Sequence, residues 1–301
     1  MPRMTTTRPC RRTWDKPMWS SLLFVPVLED RFVDKAAGRG ASAVVLDLEA
    51  SVAEHRKAEA RDALPRAVGK LAGQVDVTVR INPFGIEATR DLEACVIDQV
   101  STVHIARCET PEEVVAIDQL VSELEMERGL PAQSIALVAM LESPRAVMSA
   151  ADISRASSRL TALTLGTEDY AMEMQAEPTA ALLRPLCLPV VQAARASGLQ
   201  PLVLPISASS YQDLSALEEA ALYAKSIGSS GGFCVHPGQI DVLNQVFATS
   251  PEQLDWATRL LEAAEAATEK GLGAFKFEGK MIDRPIVERA QNLLSAQPGK
   301  S

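Results

Sequence analysis

Short apolar runs that end in charged or polar residues, each followed by a stretch of helical spacing, recur along the chain. The clearest are VVLDLEAS (44–51), VTVRINP (77–83), IALVAMLESP (135–144) and LTLGTED (163–169). In a β/α barrel such run ends fall at the C-terminal mouths of parallel strands, where active sites are assembled. Eight runs read as strands: 21–26, 43–49, 76–82, 101–107, 135–141, 160–166, 201–206 and 231–237. The segments between them carry helical spacing; in DRFVDKAAGRG, for example, Phe32, Val33, Ala36 and Ala37 share one apolar face. Eight alternations fit a closed (β/α)8 TIM barrel better than an open sheet.

Helix starts keep the same phase. Thr110, Ser143 and Ser250 each precede a proline, a cap followed by the residue suited to the first helical position, and Glu113 is placed to complete a capping box with Thr110. The start after IALVAML sets Glu142 at a strand-to-helix turn. Beyond the eighth strand, SPEQLDWATRLLEAAEAATEKG reads as a long amphipathic helix, GAFKFEGKMID as a short connecting segment, and 285–296 as a second helix. The expected organisation is an N-terminal extension (1–19), a barrel (20–248) and a C-terminal helical extension or lid (249–301).

A content of 47% apolar but only 4% aromatic residues suits a branched-aliphatic α/β interior. The net charge of -9 argues against a nucleic-acid surface, which concentrates Lys and Arg. No apolar stretch approaches the roughly 18 residues of a membrane span. The five cysteines, Cys10, Cys95, Cys108, Cys187 and Cys234, form no close pair, so reduced thiols and a cytoplasmic location are expected.

Glu142 and Asp169, at the ends of adjacent strands, are the leading pair for chemistry. Two protein carboxylates leave coordination positions for water and substrate oxygens, a pattern suited to Mg2+; the alternative is a pair of solvated loop acids. Arg80 sits in the alternation Val-x-Val-x-Ile, so its fork faces away from Val79 and Ile81, either toward a carboxylate or thioester oxygen in the mouth or into a structural salt bridge. Asp47 and Glu49, two apart, share a side of their strand, where they either serve the site or form a network beneath it. Asp283 reads as a helix N-cap or as a general base. His236 contacts a ligand or fastens a turn, and GSSGG (228–232) reads as a tight turn rather than a phosphate loop.

The motifs LLFVP with Arg31-Phe32, LDLE (46–49), VRIN (79–82), LESP (141–144), LGTED (165–169), VHPGQI (235–240) and GKMID (279–283) together resemble the citrate-lyase β-subunit-like proteins of the HpcH/HpaI aldolase superfamily, related to malyl-CoA and citramalyl-CoA lyases. The resemblance covers roughly residues 20–295. It implies that Glu142 and Asp169 bind Mg2+, that Arg80 contacts the substrate or its enolate, and that Asp47 and Glu49 support that network. Asp283 is implied as the acid/base group on a C-terminal lid, often supplied across a subunit boundary, so a homotrimer or hexamer is expected. The implied reaction is reversible aldol or Claisen-type cleavage of a β-hydroxyacyl-CoA thioester. The implied products are acetyl-CoA and oxaloacetate, glyoxylate or pyruvate.

Departures from the family pattern bear on the acyl carrier more than on the metal site. VLEDRF follows LLFVP, Ala50 replaces an acid, LPISASS (204–210) lacks one, and IAR (105–107) stands where relatives end in an LPK-like sequence. Arg31 is the expected CoA contact, and Arg107 is expected to bind substrate in place of the lysine. Two alternatives stay open: direct chemistry on a small keto or hydroxy acid without CoA, and a non-catalytic assembly or regulatory role.

Overall fold

The computed structural model describes residues 19–295. Residues 1–18 of the expected N-terminal extension, Cys10 among them, lie outside the described residues.

Eight parallel strands form one sheet: β1 (Ser21–Pro26), β2 (Ala43–Asp47), β3 (Asp76–Ile81), β4 (Thr102–Ile105), β5 (Ala136–Leu141), β6 (Leu160–Leu165), β7 (Gln200–Leu202) and β8 (Gly232–Cys234). None is longer than the run that predicts it, and most stop earlier, because the polar run ends leave the ladder to form the mouth. The order β7-β6-β5-β4-β3-β2-β1-β8 wraps the sheet into a nearly closed barrel. Helices follow the strands, as in Lys57–Leu71 after β2 and Pro111–Glu127 after β4.

Strand alternation sorts the side chains into two cores. Val44, Leu46, Leu48, Val79, Ile81, Leu137 and Leu141 pack outward with helix residues such as Leu64, Val68 and Ile117. Leu22, Ala43, Val45, Val138, Ala162 and Leu202 fill the lumen with Trp19. Leu64 and Ile117 are fully buried, and burial of such a side chain stabilises the fold by about 1.5–3 kcal/mol.

No ladder joins β7 to β8 among the described residues. The gap is stitched from GSSGG instead. Ser230 N donates to Pro201 O at 3.0 Å, and Val203 N donates to Ser229 Oγ, also at 3.0 Å. A Cβ on Gly231 would lie 2.1 Å from Trp19 O, and one on Gly232 would lie 2.2 Å from Leu204 Cδ1. Only glycine lets β8 approach this closely, and the tight turn expected here is present at Gly228 (φ 100°).

At the end opposite the mouth, Arg159 lies just before β6 and is buried. Its Nη2 stands 2.6 Å from Glu125 Oε2 and its Nε 2.6 Å from Asp118 Oδ1. Glu125 also accepts from Ile135 N and Gln133 N, both at 2.9 Å.

Residues 248–295 form a second compact unit. Helix Pro251–Glu269 starts at Ser250, whose hydroxyl accepts from Gln253 N while Gln253 Oε1 accepts from Ser250 N. The connecting segment is an antiparallel hairpin, β9 (Phe275–Phe277) with β10 (Lys280–Ile282), turned by Glu278 and Gly279 at φ 46° and 80°. Helix Arg284–Ser295 completes the unit, with Ala257, Leu260, Ile282 and Ala290 at its core.

Candidate functional site

A cavity of about 490 Å³ opens at the C-terminal mouth of the barrel, bordered by Asp47, Arg80, Glu142 and Asp169. Asp47 ends β2, and parallel register sets it beside Arg80 on β3. Arg80 Nε donates to Asp47 Oδ1 and Nη2 to Oδ2, each at 2.8 Å. Its Nη1 stands 3.2 Å from Glu49 Oε2, and its guanidinium lies 4.4 Å from the centre of the Phe24 ring. Arg80 thus makes a salt bridge and at the same time borders the cavity. Burial alone would raise the Asp47 carboxyl, but Arg80, with the backbone N–H groups of Glu49 and Ser51, holds it below its ordinary value.

Buried Lys57 sets the height of these two strand ends. Its Nζ donates to Leu48 O (2.9 Å), Glu49 O (2.8 Å) and Asn82 Oδ1 (2.7 Å). Asn82 Nδ2 in turn donates to Asp91 Oδ2, and Asp91 takes Arg61. Asn82 closes the VRIN motif, whereas Lys57 and Asp91 escaped the sequence reading because a buried charged residue on an amphipathic helix leaves no distinctive pattern.

Glu142 follows β5 and is buried. Ser143 fixes its turn: the hydroxyl accepts from Ala146 N at 3.0 Å and donates to Glu109 Oε2 at 2.8 Å. Thr110 caps its helix as expected, but Glu113 reaches Glu109 N rather than completing the box. No side-chain hydrogen bond to the Glu142 carboxyl occurs among the described residues. Burial pushes its pKa up to about 8; Arg80 opposes that rise, while Asp169 and Glu49 add to it. Glu49 is raised by burial as well. The Glu142 side chain passes directly over Gly166, where an added Cβ would lie 2.5 Å from its Cγ and 2.8 Å from its Cδ.

Asp169 lies in the first turn of helix Thr167–Glu173 and is partly exposed. Arg107, at φ 47°, ion-pairs Glu173 and stands 3.8 Å from Asp169 Oδ1. Glu168 supplies a carboxylate to the LPISASS segment, where it accepts from Ser207 Oγ at 2.6 Å and Ala208 N at 2.7 Å. Its place beside Asp169 in TED was the available signal. His236 fastens its turn by accepting from Gly238 N. His104 is sealed in the lumen, where burial and then Arg80 push its pKa down to about 3.

The structure thus gathers Asp47, Glu49, Arg80, Glu142, Asp169 and Arg107 at one mouth. Arg31 is exposed after β1, 3.5 Å from Glu29. Asp283 belongs to the C-terminal unit, where it is exposed and its backbone carbonyl accepts from Ile286 N and Val287 N. Cys95, Cys108, Cys187 and Cys234 are free and buried. Among the described residues, no helix is long and apolar enough to cross a membrane.

The raised Glu142 pKa carries a sign. Between its unfolded value near 4.5 and about 8, the folded protein holds the extra proton, so stability falls as pH rises. His104 runs the other way, but only below its unfolded value near 6.5. Metal-free protein should therefore lose stability from pH 6.5 to 8 by up to about 1.4 kcal/mol per pH unit. Thermal melts of wild type and Glu142→Gln check this: the slope should flatten in the variant.

Fold and site together define a TIM-barrel protein with an acid-and-arginine cavity at the end where barrel enzymes work. The chain belongs to the HpcH/HpaI aldolase/citrate lyase family, whose model matches residues 20–237. It is 34% identical over 280 residues to citrate lyase subunit beta of Escherichia coli (strain K12), covering 91% of this chain and 92% of the relative. It is 30% identical over 285 residues to a (3S)-malyl-CoA thioesterase of Cereibacter sphaeroides (strain ATCC 17029 / ATH 2.4.9), covering 92% and 94%. Among solved structures, CitE from Mycobacterium tuberculosis in complex with magnesium, acetoacetate and coenzyme A matches with a TM-score of 0.72 and 29% identity, covering 94% of this chain and 98% of that one.

Proposed function

We propose that this protein is a Mg2+-dependent carbon–carbon lyase that cleaves a β-hydroxyacyl-CoA thioester into an acyl thioester and a keto acid. The observation that carries this reading is the meeting of Glu142, Asp169 and Arg80 on one cavity. The magnesium, coenzyme A and acetoacetate named for the Mycobacterium tuberculosis structure support it.

The donor set suits the ion. No group of three or more His, Cys, Asp or Glu side chains able to hold a metal is present among the described residues, whereas Mg2+ commonly takes one or two carboxylates and keeps its remaining positions for water and substrate oxygens. The buried Glu142 carboxyl, without a side-chain hydrogen bond, is a natural ligand, and Asp169 is the second. When bound, the ion supplies electrostatic stabilisation of the keto-acid oxygens.

The chain's own groups do the rest. Asp47 grips one edge of the Arg80 fork and Glu49 stands beside Nη1; the N–H groups these two acids leave over serve the thioester oxygen, where charge develops as the C–C bond breaks. Glu49 sets the second side of that fork. Asp283 is the acid/base group, supplied within the chain or across a subunit boundary of a trimer or hexamer. Arg107 holds the Asp169 side of the mouth, and Arg31 serves the CoA end.

An assay of citryl-, malyl- and citramalyl-CoA and the free acids, with Mg2+ or with EDTA, tests the reading. Thioester cleavage that EDTA abolishes is expected; silence on every thioester, or turnover of the free acids alone, overturns it. Gly166→Ala should lower kcat/KM by about 10–100-fold, the usual scale for disturbing a metal-ligand support. Its thermal midpoint should stay close to wild type, and calorimetric Mg2+ titration should show the matching loss of affinity.

A further inference from the structure

Resting on the lyase reading, we infer that Lys57 is a positioning residue for the reaction. It is the buried end of a polar relay that runs through one peptide group of the turn after β2 to Asp47, and so sets the Arg80 fork toward the reacting thioester. Lys57 itself does not border the cavity.

The relay runs from atom to atom. Lys57 Nζ donates to Leu48 O at 2.9 Å. The N–H of that same peptide group, on Glu49, donates to Asp47 Oδ1 at 3.0 Å, and Ser51 N donates to Asp47 Oδ2 at 2.9 Å. The turn thus presents N–H groups to the acid and carbonyls to the lysine. The two Asp47 oxygens in turn accept from Arg80 Nε and Nη2. Cation, peptide dipole, carboxylate and cation alternate along this chain, and each hydrogen bond polarises the next in the same sense. Glu49 O, 2.8 Å from Nζ, belongs to the residue whose carboxylate stands beside Arg80 Nη1. The same ammonium therefore fixes the backbone from which Glu49 reaches the fork.

Two observations separate this role from packing. The first is charge out of place. Lys57 is buried, its three acceptors are uncharged oxygens, and no carboxylate ion-pairs it among the described residues. Three acceptors take three N–H groups, so the side chain is the ammonium. A buried charge without an opposite partner costs stability, and a cation in the first turn of helix Lys57–Leu71 also opposes the helix dipole. An apolar side chain would avoid both costs. The second is that the turn's backbone is satisfied without it. Leu48 O also accepts from Asn82 Nδ2 at 3.0 Å, and Glu49 O from Val52 N at 3.1 Å. Asp91 accepts from Asn82 N and Nδ2, which orients the amide and leaves its Oδ1 to Lys57. What the lysine alone supplies is positive charge beneath the Asp47 and Glu49 side of the mouth.

The test compares Lys57→Met and Lys57→Arg with wild type in the full chain, on the CoA thioester that wild type cleaves fastest. In Lys57→Met, kcat should fall by about 100-fold, the scale on which a small displacement remote from the chemistry slows an enzyme. Calorimetric affinities for Mg2+ and pyruvate should stay at wild-type values, because Glu142 and Asp169 stand on other strands and the lost interaction belongs to the transition state. Lys57→Arg keeps the charge and should recover most of the loss. Should Lys57→Met not fold, Lys57→Gln takes its place with the same expectation. Wild-type kcat in a folded neutral variant, a matching loss of Mg2+ affinity, or no recovery with arginine overturns the inference. A crystal structure of the neutral variant reads the same role without turnover. Glu49 should leave Arg80 Nη1 while Glu142 and Asp169 keep their places; Asp47, Glu49 and Arg80 all unmoved would overturn the inference. Wild type that cleaves no thioester removes the lyase reading, and that crystal structure then decides alone whether Lys57 seats the Arg80 fork.

Discussion

Glu142→Gln should reduce thioester cleavage by about 1,000-fold, the scale on which loss of one preorganised electrostatic contact slows an enzyme. The amide keeps the shape that lies over Gly166 but cannot carry the negative charge that draws a cation to this end of β5. The fold should be unharmed. In metal-free protein at neutral pH the buried Glu142 carboxyl already holds its proton, because burial pushes its pKa up to about 8, so a neutral amide replaces a neutral acid. Loss of activity with an unchanged or raised thermal midpoint, together with loss of Mg2+ binding in calorimetry, is the expected combination. Wild-type turnover in the variant would remove Glu142 from the reaction.

Arg159→Ala should have the largest effect on stability. Asp118 and Glu125 converge on this guanidinium, and both it and Glu125 are buried. Removing one partner of a buried pair costs about 3–5 kcal/mol, mostly through the charge left behind. For a chain of this size the thermal midpoint should fall by about 10 °C. Burial would raise the Glu125 pKa, but Arg159 and the N–H groups of Ile135 and Gln133 bring it down to about 2. A depressed acid contributes its stability above the unfolded value near 4.5 and loses it as pH falls through the folded one. The gap between wild type and variant should therefore be full at pH 6 and shrink between pH 4.5 and 2. Denaturant melts across that range check it, and activity at temperatures where both proteins are folded should be unchanged.

Much of the barrel is legible in the sequence because period-2 alternation and polar run ends are local properties. Leu46 and Leu48 face the helices while Asp47 faces the lumen, and the same rule brings Arg80 beside Asp47 once β2 and β3 are neighbours. What strand periodicity cannot carry is contact between elements distant along the chain. Lys57 reaches three acceptors on two strand ends, Ser229 and Ser230 stitch β7 to β8, and Glu168 takes Ser207 and Ala208; each depends on how helices and loops settle around the sheet. Gly166 belongs to the same class. Its missing Cβ is visible in LGTED, but its reason, the Glu142 side chain lying across it, exists only in three dimensions. The hairpin at 275–282 was hidden for another cause: two strands of three residues are too short to show alternation, and the Glu278-Gly279 turn is the one local sign.

The most direct test of the central claim is a crystal structure of the protein with Mn2+ in place of Mg2+ and a bound keto acid, with the ion located by its anomalous signal. One ion contacting a carboxylate oxygen of both Glu142 and Asp169 at about 2.0–2.2 Å is predicted, close to the Mg2+–oxygen distance. An ion bound elsewhere, or both carboxylates turned from the cavity with the keto acid held by other groups, would contradict the account.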